Sequence, residues 1–436
     1  MVKGKAQPVN AAVVGSPRGV RPSLGGDDLP LVGRRSETAA YTEVVTDVLA
    51  GTGRFVEIVG DAGLGKTRLL DEFVDRSDLP FHRVRCRPYE ATIPYFSFSA
   101  LARLALGLDG LAAKGQIQRL RALARNAGVA EDLSLVGAGL GLEIHGNVPD
   151  DPEIRKARLE QATTSVLMVA LADPVALCVE DSQWMDDASR DLLAVLTRAT
   201  RTRPWLVVAA HRTTGGDLGT TPDLLIEVAP LGHDAMVTLA RAATAAAPMP
   251  LHVVEALAKR SGGNPMFLLE MVNALQSGDD LTALPTSVEE LLTARIDRLA
   301  NEDRTALRRI AVLGNEFDQN LLHHVLPDSA VLRPPQVLQR LNEFISTSAD
   351  GIVSFRHSLV CDVAYRGLSY RTRRELHRRA ADALRAERGD NANTPSLLSL
   401  HYWRAGRYQE AWTYSKLAAD DATAAYANVE AAELYA

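Results

Sequence analysis

The residues with the clearest chemical purpose are Gly60-Asp61-Ala62-Gly63-Leu64-Gly65-Lys66-Thr67, which fit the spacing G-x-x-x-x-G-K-[ST]. An apolar run, Phe55 to Val59, precedes them, and a helical stretch, Arg68 to Phe73, follows. Glycines let the backbone bend into an arc of N–H groups that meets phosphate oxygens without Cβ clashes. The helix behind the arc turns its partly positive N-terminus toward the same anion. Lys66 would set an ammonium on the β- and γ-phosphates, and the Thr67 hydroxyl would ligate magnesium. The spacing therefore calls for ATP or ADP with Mg2+, held by Gly60 to Thr67 with Arg68 at the loop's exit. A second glycine cluster, Gly137-Ala138-Gly139-Leu140-Gly141, lacks the Lys-Ser/Thr pair and a clear preceding strand. It reads as a flexible loop.

The apolar run Val175 to Val179 ends in Glu180-Asp181. A buried parallel strand delivers the side chains just past its C-terminal end to the crevice where ligands sit. Two carboxylates there suit two tasks: Glu180 holding magnesium and its waters, Asp181 orienting and deprotonating an attacking water. An acidic pair after a strand is also a common start of a solvated loop, and only the phosphate loop tips the reading toward chemistry. His211-Arg212 closes another apolar run, Trp205 to Ala210. Arg212 either senses charge lost from the γ-phosphate or is a surface arginine in a loop. Pattern alone leaves both open.

These residues need a scaffold, and the chain supplies one. Phe55–Val59, Phe81–Cys86, Val175–Val179, Trp205–Ala210 and Leu224–Val228 read as strands, with helical periodicity between them, notably Ile154 to Leu171. Continuous apolar strands alternating with helices imply an α/β core, a parallel sheet with helices on both faces. This P-loop core spans 29–230, after a Gly/Pro/basic linker at 1–28. Short helices at 234–246, 251–260 and 265–276 make a helical lid at 231–284. A helix from Val288 to Leu299 and a hairpin strand at Ile352–Phe355 point to a winged-helix-like domain at 285–370. Residues 371–436 read as helix throughout, broken at Gly406 and at Asn391-Ala392-Asn393. Ala405-Gly406-Arg407-Tyr408-Gln409-Glu410-Ala411 fits the turn of a tetratricopeptide repeat.

Composition narrows the setting. The 436 residues are 46% hydrophobic and 23% charged, which fits a folded chain of several domains. A net charge of −6 gives no global footprint for nucleic acid. Three scattered cysteines, Cys86, Cys178 and Cys361, fit a reducing compartment. No apolar run approaches the roughly 20 residues that cross a bilayer, so no membrane partner and a cytoplasmic location are expected.

Taken in order, several segments resemble the STAND class of signal-transduction ATPases, in particular the AAA-type modules of large bacterial regulators. The segments are Leu31-Val32-Gly33-Arg34 with Glu37, the phosphate loop, Val179 to Asp186, and Arg212. Further on come Ser261-Gly262-Gly263-Asn264-Pro265, Leu284-Pro285, and Phe355-Arg356-His357-Ser358-Leu359-Val360. Those regulators carry adenylyl cyclase or DNA-binding domains as well. The resemblance implies that Val32, Gly33 and Arg34 lie near the adenine and ribose. It also implies that Pro265 meets the base and that His357 touches the β-phosphate of ADP. Without the resemblance, Pro265 would be an ordinary first residue of a helix and His357 a satisfied core histidine. Arg35 departs from the family, which commonly has Glu there. Val2 to Val9 is similar to the last strand of a cyclase catalytic domain, yet none of the cyclase's catalytic segments is present. The chain stops inside an amphipathic helix, Glu433-Leu434-Tyr435-Ala436, as a piece of a longer protein would.

Three functions compete. A nucleotide-gated regulatory switch with slow ATP hydrolysis would change domain arrangement or self-association. Its helical repeats would be the surface for that self-association or for a partner protein. A ring-type mechanical ATPase would need a trans-acting arginine that no motif identifies. DNA binding through the winged-helix region would draw on Arg371, Arg373, Arg374, Arg378 and Arg379, which equally fit a solvated helix face. DNA is not the expected partner.

Overall fold

The computed structural model describes residues 29–146, 149, 151–216, 218–281, 284–326, 334–348, 351–388, 394–425 and 427–436. The expected linker at 1–28 and the break at Asn391–Asn393 lie outside them.

Helix α1 (Arg35–Leu49) leads into β1 (Arg54–Val59), then α2 (Lys66–Arg76) and β2 (Phe81–Arg85). Four helices follow: α3 (Phe96–Ala105), α4 (Ala113–Asn126), α5 (Leu133–Gly139) and α6 (Pro152–Ala170). Next come β3 (Val175–Glu180), α7 (Asp187–Ala199), β4 (Trp205–His211) and β5 (Leu224–Glu227). The five strands form one parallel sheet in the order β2-β3-β4-β1-β5. Every residue of β3 and β4 is buried, whereas the edge strand β2 is half-exposed along its whole length. Side chains alternate between the two faces as strand periodicity requires. Leu177, Val179, Val207 and Ala209 pack into one apolar cluster with α3, α6 and α7. Ala176, Cys178, Leu206 and Val208 pack into another with α1 and α2.

The second glycine cluster is not a loop. Gly137 and Gly139 lie in α5, where a Cβ would come within 3.0 Å of Ile144 and 3.3 Å of Leu159. Small residues there let backbone and side chains approach closely, so the missing side chains mark packing rather than freedom.

Beyond the sheet, α8 (His233–Ala243), α9 (Leu251–Arg260) and α10 (Pro265–Gln276) share one small core of Met236, Leu239, Leu257, Leu268 and Met271. Leu29 and Val32, from the strap before α1, pack onto it. Then follow α11 (Val288–Asp297), α12 (Asn301–Ile310), β6 (Glu316–Asp318), α13 (Leu322–Val325), α14 (Pro334–Arg340), β7 (Ile345–Thr347) and β8 (Ile352–Phe355). The strands form an antiparallel sheet ordered β6-β8-β7, so the expected hairpin has a third strand. Helices α15 (Ser358–Arg366), α16 (Tyr370–Arg388), α17 (Thr394–Arg404), α18 (Tyr408–Ala424) and α19 (Asn428–Tyr435) complete the chain. One apolar cluster runs from Leu292 to Ala411, so packing is continuous across residue 370. The far end folds back: Ala422, Ala427 and Ala431 join the core beneath the large sheet, and buried Glu430 accepts the Ala188 N–H at the start of α7. No described helix is long and apolar enough to cross a membrane.

Candidate functional site

The loop between β1 and α2 adopts the conformation its glycines permit. Gly63 and Gly65 have φ of 81° and 92°, in the left-handed region. A Cβ on Gly60 would come 2.9 Å from the Val228 carbonyl oxygen. Lys66 opens α2 and turns its Nζ back onto the loop, donating to the carbonyls of Gly60 (2.5 Å) and Asp61 (3.1 Å). Burial, the largest influence, pushes its ammonium below the ordinary value together with Arg212, against the pull of Asp181, Asp61 and Glu180. Asp61 accepts from the Thr213 hydroxyl at 2.6 Å, tying the loop to the end of β4.

Across the sheet, the Thr67 hydroxyl donates to Glu180 Oε2 at 2.9 Å. Burial works against charge on Glu180, but Arg83 and Arg85 of β2 outweigh it and hold the carboxyl below its usual range. Asp181 is the more exposed carboxylate and sits at φ 54°, a conformation rare outside glycine. Its Oδ1 accepts from the Gln183 side chain at 3.2 Å, and Gln183 Oε1 accepts the Arg212 N–H at 3.2 Å. Arg212 is half-buried, and its charge acts on both Lys66 and Asp362 of α15. Thr67 and Glu180 thus offer hard oxygen donors of the kind magnesium takes, and the loop offers an N–H cradle of nucleotide-phosphate type.

The residues expected around the base divide. The buried Arg34 side chain donates to Leu64 O (3.2 Å), Ala229 O (2.7 Å) and Glu37 Oε1 (3.0 Å), so its guanidinium braces the loop. Gly33, at φ 67°, lies where a Cβ would strike Ala235 at 2.8 Å. Arg68 pairs with Glu72 and donates to Leu29 O. Pro265 opens α10, as a first-turn proline can. Beside it, Asn264 does more than sequence showed. Its Oδ1 caps α10 by accepting the Phe267 N–H, and its Nδ2 donates to Ala62 O at 3.1 Å. Met266 N donates to Gly63 O at 3.3 Å. The start of α10 is therefore clamped directly onto the phosphate loop.

His357 immediately precedes α15, at a position whose residue is exposed. Desolvation of its imidazole by the protein around it, more than the opposing charge of Glu270, presses its pKa down; Arg295, Arg85 and Arg356 add to this. Glu270 of α10 is itself held by Arg295, which also pairs with Glu343 at 3.0 Å. His357 thus faces the cleft shared by the large sheet, the lid and α15.

Residues 30–208 match the family described as AAA ATPase domain. The chain is 27% identical over 443 residues to the protein named Uncharacterized protein R02095 of Rhizobium meliloti (strain 1021), covering 94% of this chain and 42% of that one. It also resembles the solved structure of a Signal Transduction ATPase with Numerous Domains (STAND) protein with a tetratricopeptide repeat sensor, PH0952 from Pyrococcus horikoshii. That likeness has a TM-score of 0.52 and 17% identity over 93% of this chain and 56% of that chain. The phosphate loop and strands β1, β2 and β3 lie within residues 30–208, the part of the chain that matches the AAA ATPase domain family. In fold, the chain as a whole is like that STAND protein. It spans 42% and 56% of these two longer proteins.

Proposed function

We propose that this chain is the ATP- and ADP-binding switch module of a signalling protein, hydrolysing ATP slowly and answering nucleotide state with a change in domain arrangement. The observation that carries this reading is the clamp of Asn264 and Met266 on Ala62 and Gly63. The loop that would hold phosphate is the same loop that holds the lid. Through Glu270 and Arg295 the lid is joined to Glu343, just before β7.

In this reading Lys66 leaves the loop carbonyls for the β- and γ-phosphates, and Thr67 and Glu180 hold the metal. Bound magnesium would supply charge neutralisation at the phosphates. Asp181, more open than Glu180, takes the proton from the attacking water. Arg212, between Lys66 and Asp362, registers loss of the terminal phosphate. Val32 and Gly33 offer backbone toward the base, with Pro265 opposite, and His357 reaches the β-phosphate from the far side of the cleft.

The arginines of α16 fit this module better than a nucleic-acid interface. Arg378 and Arg379 pair with Glu375, and Arg374 donates to Ala405 O. The unit at 285–370, read as winged-helix-like, then serves as a partner of the nucleotide cleft. Exposed Trp403, Tyr408 and Trp412 on α17 and α18 fit self-association or a protein partner at repeat-like helices in the cytoplasm. Turnover tests the proposal. A rate far below about one per second, with ATP and ADP giving different domain spacings by scattering, is expected. Steady rapid turnover with one common shape would replace the switch by a mechanical ATPase.

A further inference from the structure

Strand β2 carries two arginines on one face, two residues apart. In the parallel register Arg85 lies opposite Glu180 and Arg83 opposite Cys178. Their surroundings differ. Arg83 is anchored at both ends, by Glu180 Oε1 and by Asp71 of α2 at 2.5 Å. The close partners of the Arg85 guanidinium all belong to the site. Its Nη2 lies 3.0 Å from Glu180 Oε2 and 3.5 Å from Thr67 Oγ1, and its Nε 3.7 Å from Asp181 Oδ2. That Nε is buried with no hydrogen-bond partner among the described residues.

Glu180 Oε2 therefore serves Arg85 and Thr67 at once, at the oxygens a magnesium ion would take. A guanidinium and a divalent cation repel each other, so they compete for one carboxylate oxygen. Resting on the nucleotide reading above, we propose that Arg85 is a positioning residue that stands in for the metal. It neutralises Glu180 until magnesium-nucleotide displaces it, while Arg83 stays in place. The displacement has somewhere to go. Two residues on, Arg87 pairs with Glu316 at 2.6 Å, and four residues on, Tyr89 accepts from Arg404 at 3.1 Å. Arrival of the metal at Glu180 thus pulls on the segment that binds β6 and α17.

The test is Arg85→Gln in the full chain, with fluorescent ADP binding titrated against magnesium. The variant removes a charge-assisted competitor, so the magnesium concentration for half-maximal binding should fall about ten-fold or more. ADP binding in EDTA should be unchanged. The melting temperature should drop without nucleotide and hold with Mg-ADP. Arg83→Gln should lower both melting temperatures and leave the magnesium midpoint in place. A midpoint unchanged or raised in Arg85→Gln overturns the proposal. So does an equal loss of melting temperature in both states. If Arg85→Gln does not fold, Arg85→Lys keeps the charge without the fork and should lower the midpoint by a smaller factor; no change there also overturns it. Failure of the wild-type chain to bind Mg-ADP would remove the nucleotide reading as well. Normal wild-type binding with an insensitive variant would remove only the role of Arg85.

Discussion

The nucleotide cleft and the junction behind it are built on opposite principles. The cleft collects charge: Lys66, Arg83, Arg85 and Arg212 against Glu180, Asp181 and Asp61. The junction joins Tyr89, Tyr365, His377, His401 and Arg404 from three parts of the chain. There Tyr365 Oη meets His377 Nε2 at 2.9 Å, and His377 Nδ1 meets His401 Nδ1 at 2.9 Å. Both histidines are buried, and burial first, neighbouring charge second, drives His377 to about 2 and His401 to about 3. With both rings neutral at such pKa values, one Nδ1 donates and the other accepts, so the two are of opposite tautomer. The Arg404 guanidinium lies over the Tyr89 ring at 5.0 Å. Charges of both signs in one crevice can be rebalanced by a ligand, whereas a neutral, closed hydrogen-bond chain can only hold or break. The first region suits change, the second suits transmission of a rigid push.

The largest effect that would sharpen this contrast is on hydrolysis. Asp181→Ala should retain nucleotide and lose about 10²–10⁴-fold in turnover, the usual contribution of a general base. Glu180→Ala should instead weaken the magnesium dependence of binding. Small and equal losses in the two variants, measured by phosphate release and by magnesium titration, would remove the division of roles. Next in size, Lys66→Ala should cost about ten- to a hundred-fold or more in ATP affinity by calorimetry, since hydrogen bonds to charged groups are worth about 1.5–3 kcal/mol. Its melting temperature without nucleotide should change little, because among the described residues the Lys66 ammonium hydrogen-bonds only to loop carbonyls. Wild-type affinity would end the phosphate-loop reading.

The junction answers to pH. Its histidines have folded pKa values below the unfolded value of about 6.5, so the unfolded chain binds more protons as pH falls. Their contribution is present above about pH 6.5 and is lost toward pH 3. Asp186 and Glu90, raised to about 7 chiefly by burial, pull the other way, so the raw curve of stability against pH is not diagnostic. The difference between wild type and His401→Gln is. From pH 7 to 5 the gap should shrink by about 2 kcal/mol, the linkage of one histidine over about 1.5 pH units. Denaturant melts with a constant gap would mean that His401 is not held neutral.

Local pattern made the phosphate loop and the buried strands readable, because glycine spacing and uninterrupted apolar runs are short-range signals. The lid helices 251–260 and 265–276 have the boundaries that Pro and Gly punctuation implied. Arg83 and Arg85 lie in a segment that the sequence marks only as a strand. Two arginines at i and i+2 beside an acidic strand end were the available signal. Asn264 before Pro265 carried the mark of a helix cap, though not its reach to Ala62. The glycines of α5 misled because a glycine-rich run looks the same whether it bends or packs. Strand β6 has three residues, too few for periodicity. The junction of Tyr89 with His401 had no local trace, being made by residues far apart in the chain and brought together only by tertiary packing.

The smallest effect separates His357 from the two buried histidines. His357 is exposed at the edge of the charged cleft, and its depressed pKa leaves a neutral ring at pH 7 that can donate one hydrogen bond. If that bond goes to the β-phosphate of ADP, it joins the α15 side of the cleft to the ATPase core only while nucleotide is present. A hydrogen bond to a charged group is worth about 1.5–3 kcal/mol, and about 1.4 kcal/mol is a factor of ten. His357→Ala should therefore speed release of fluorescent ADP about ten-fold or more. Because the ring makes no hydrogen bond among the described residues, the melting temperature without nucleotide should stay near wild type. The stabilisation that ADP adds should shrink by about 1.4 kcal/mol for each factor of ten lost in affinity. A variant that melts lower with and without ADP, and releases ADP at the wild-type rate, would place His357 with His377 and His401 as a packing residue. The cleft would then end at Arg85 and Arg212.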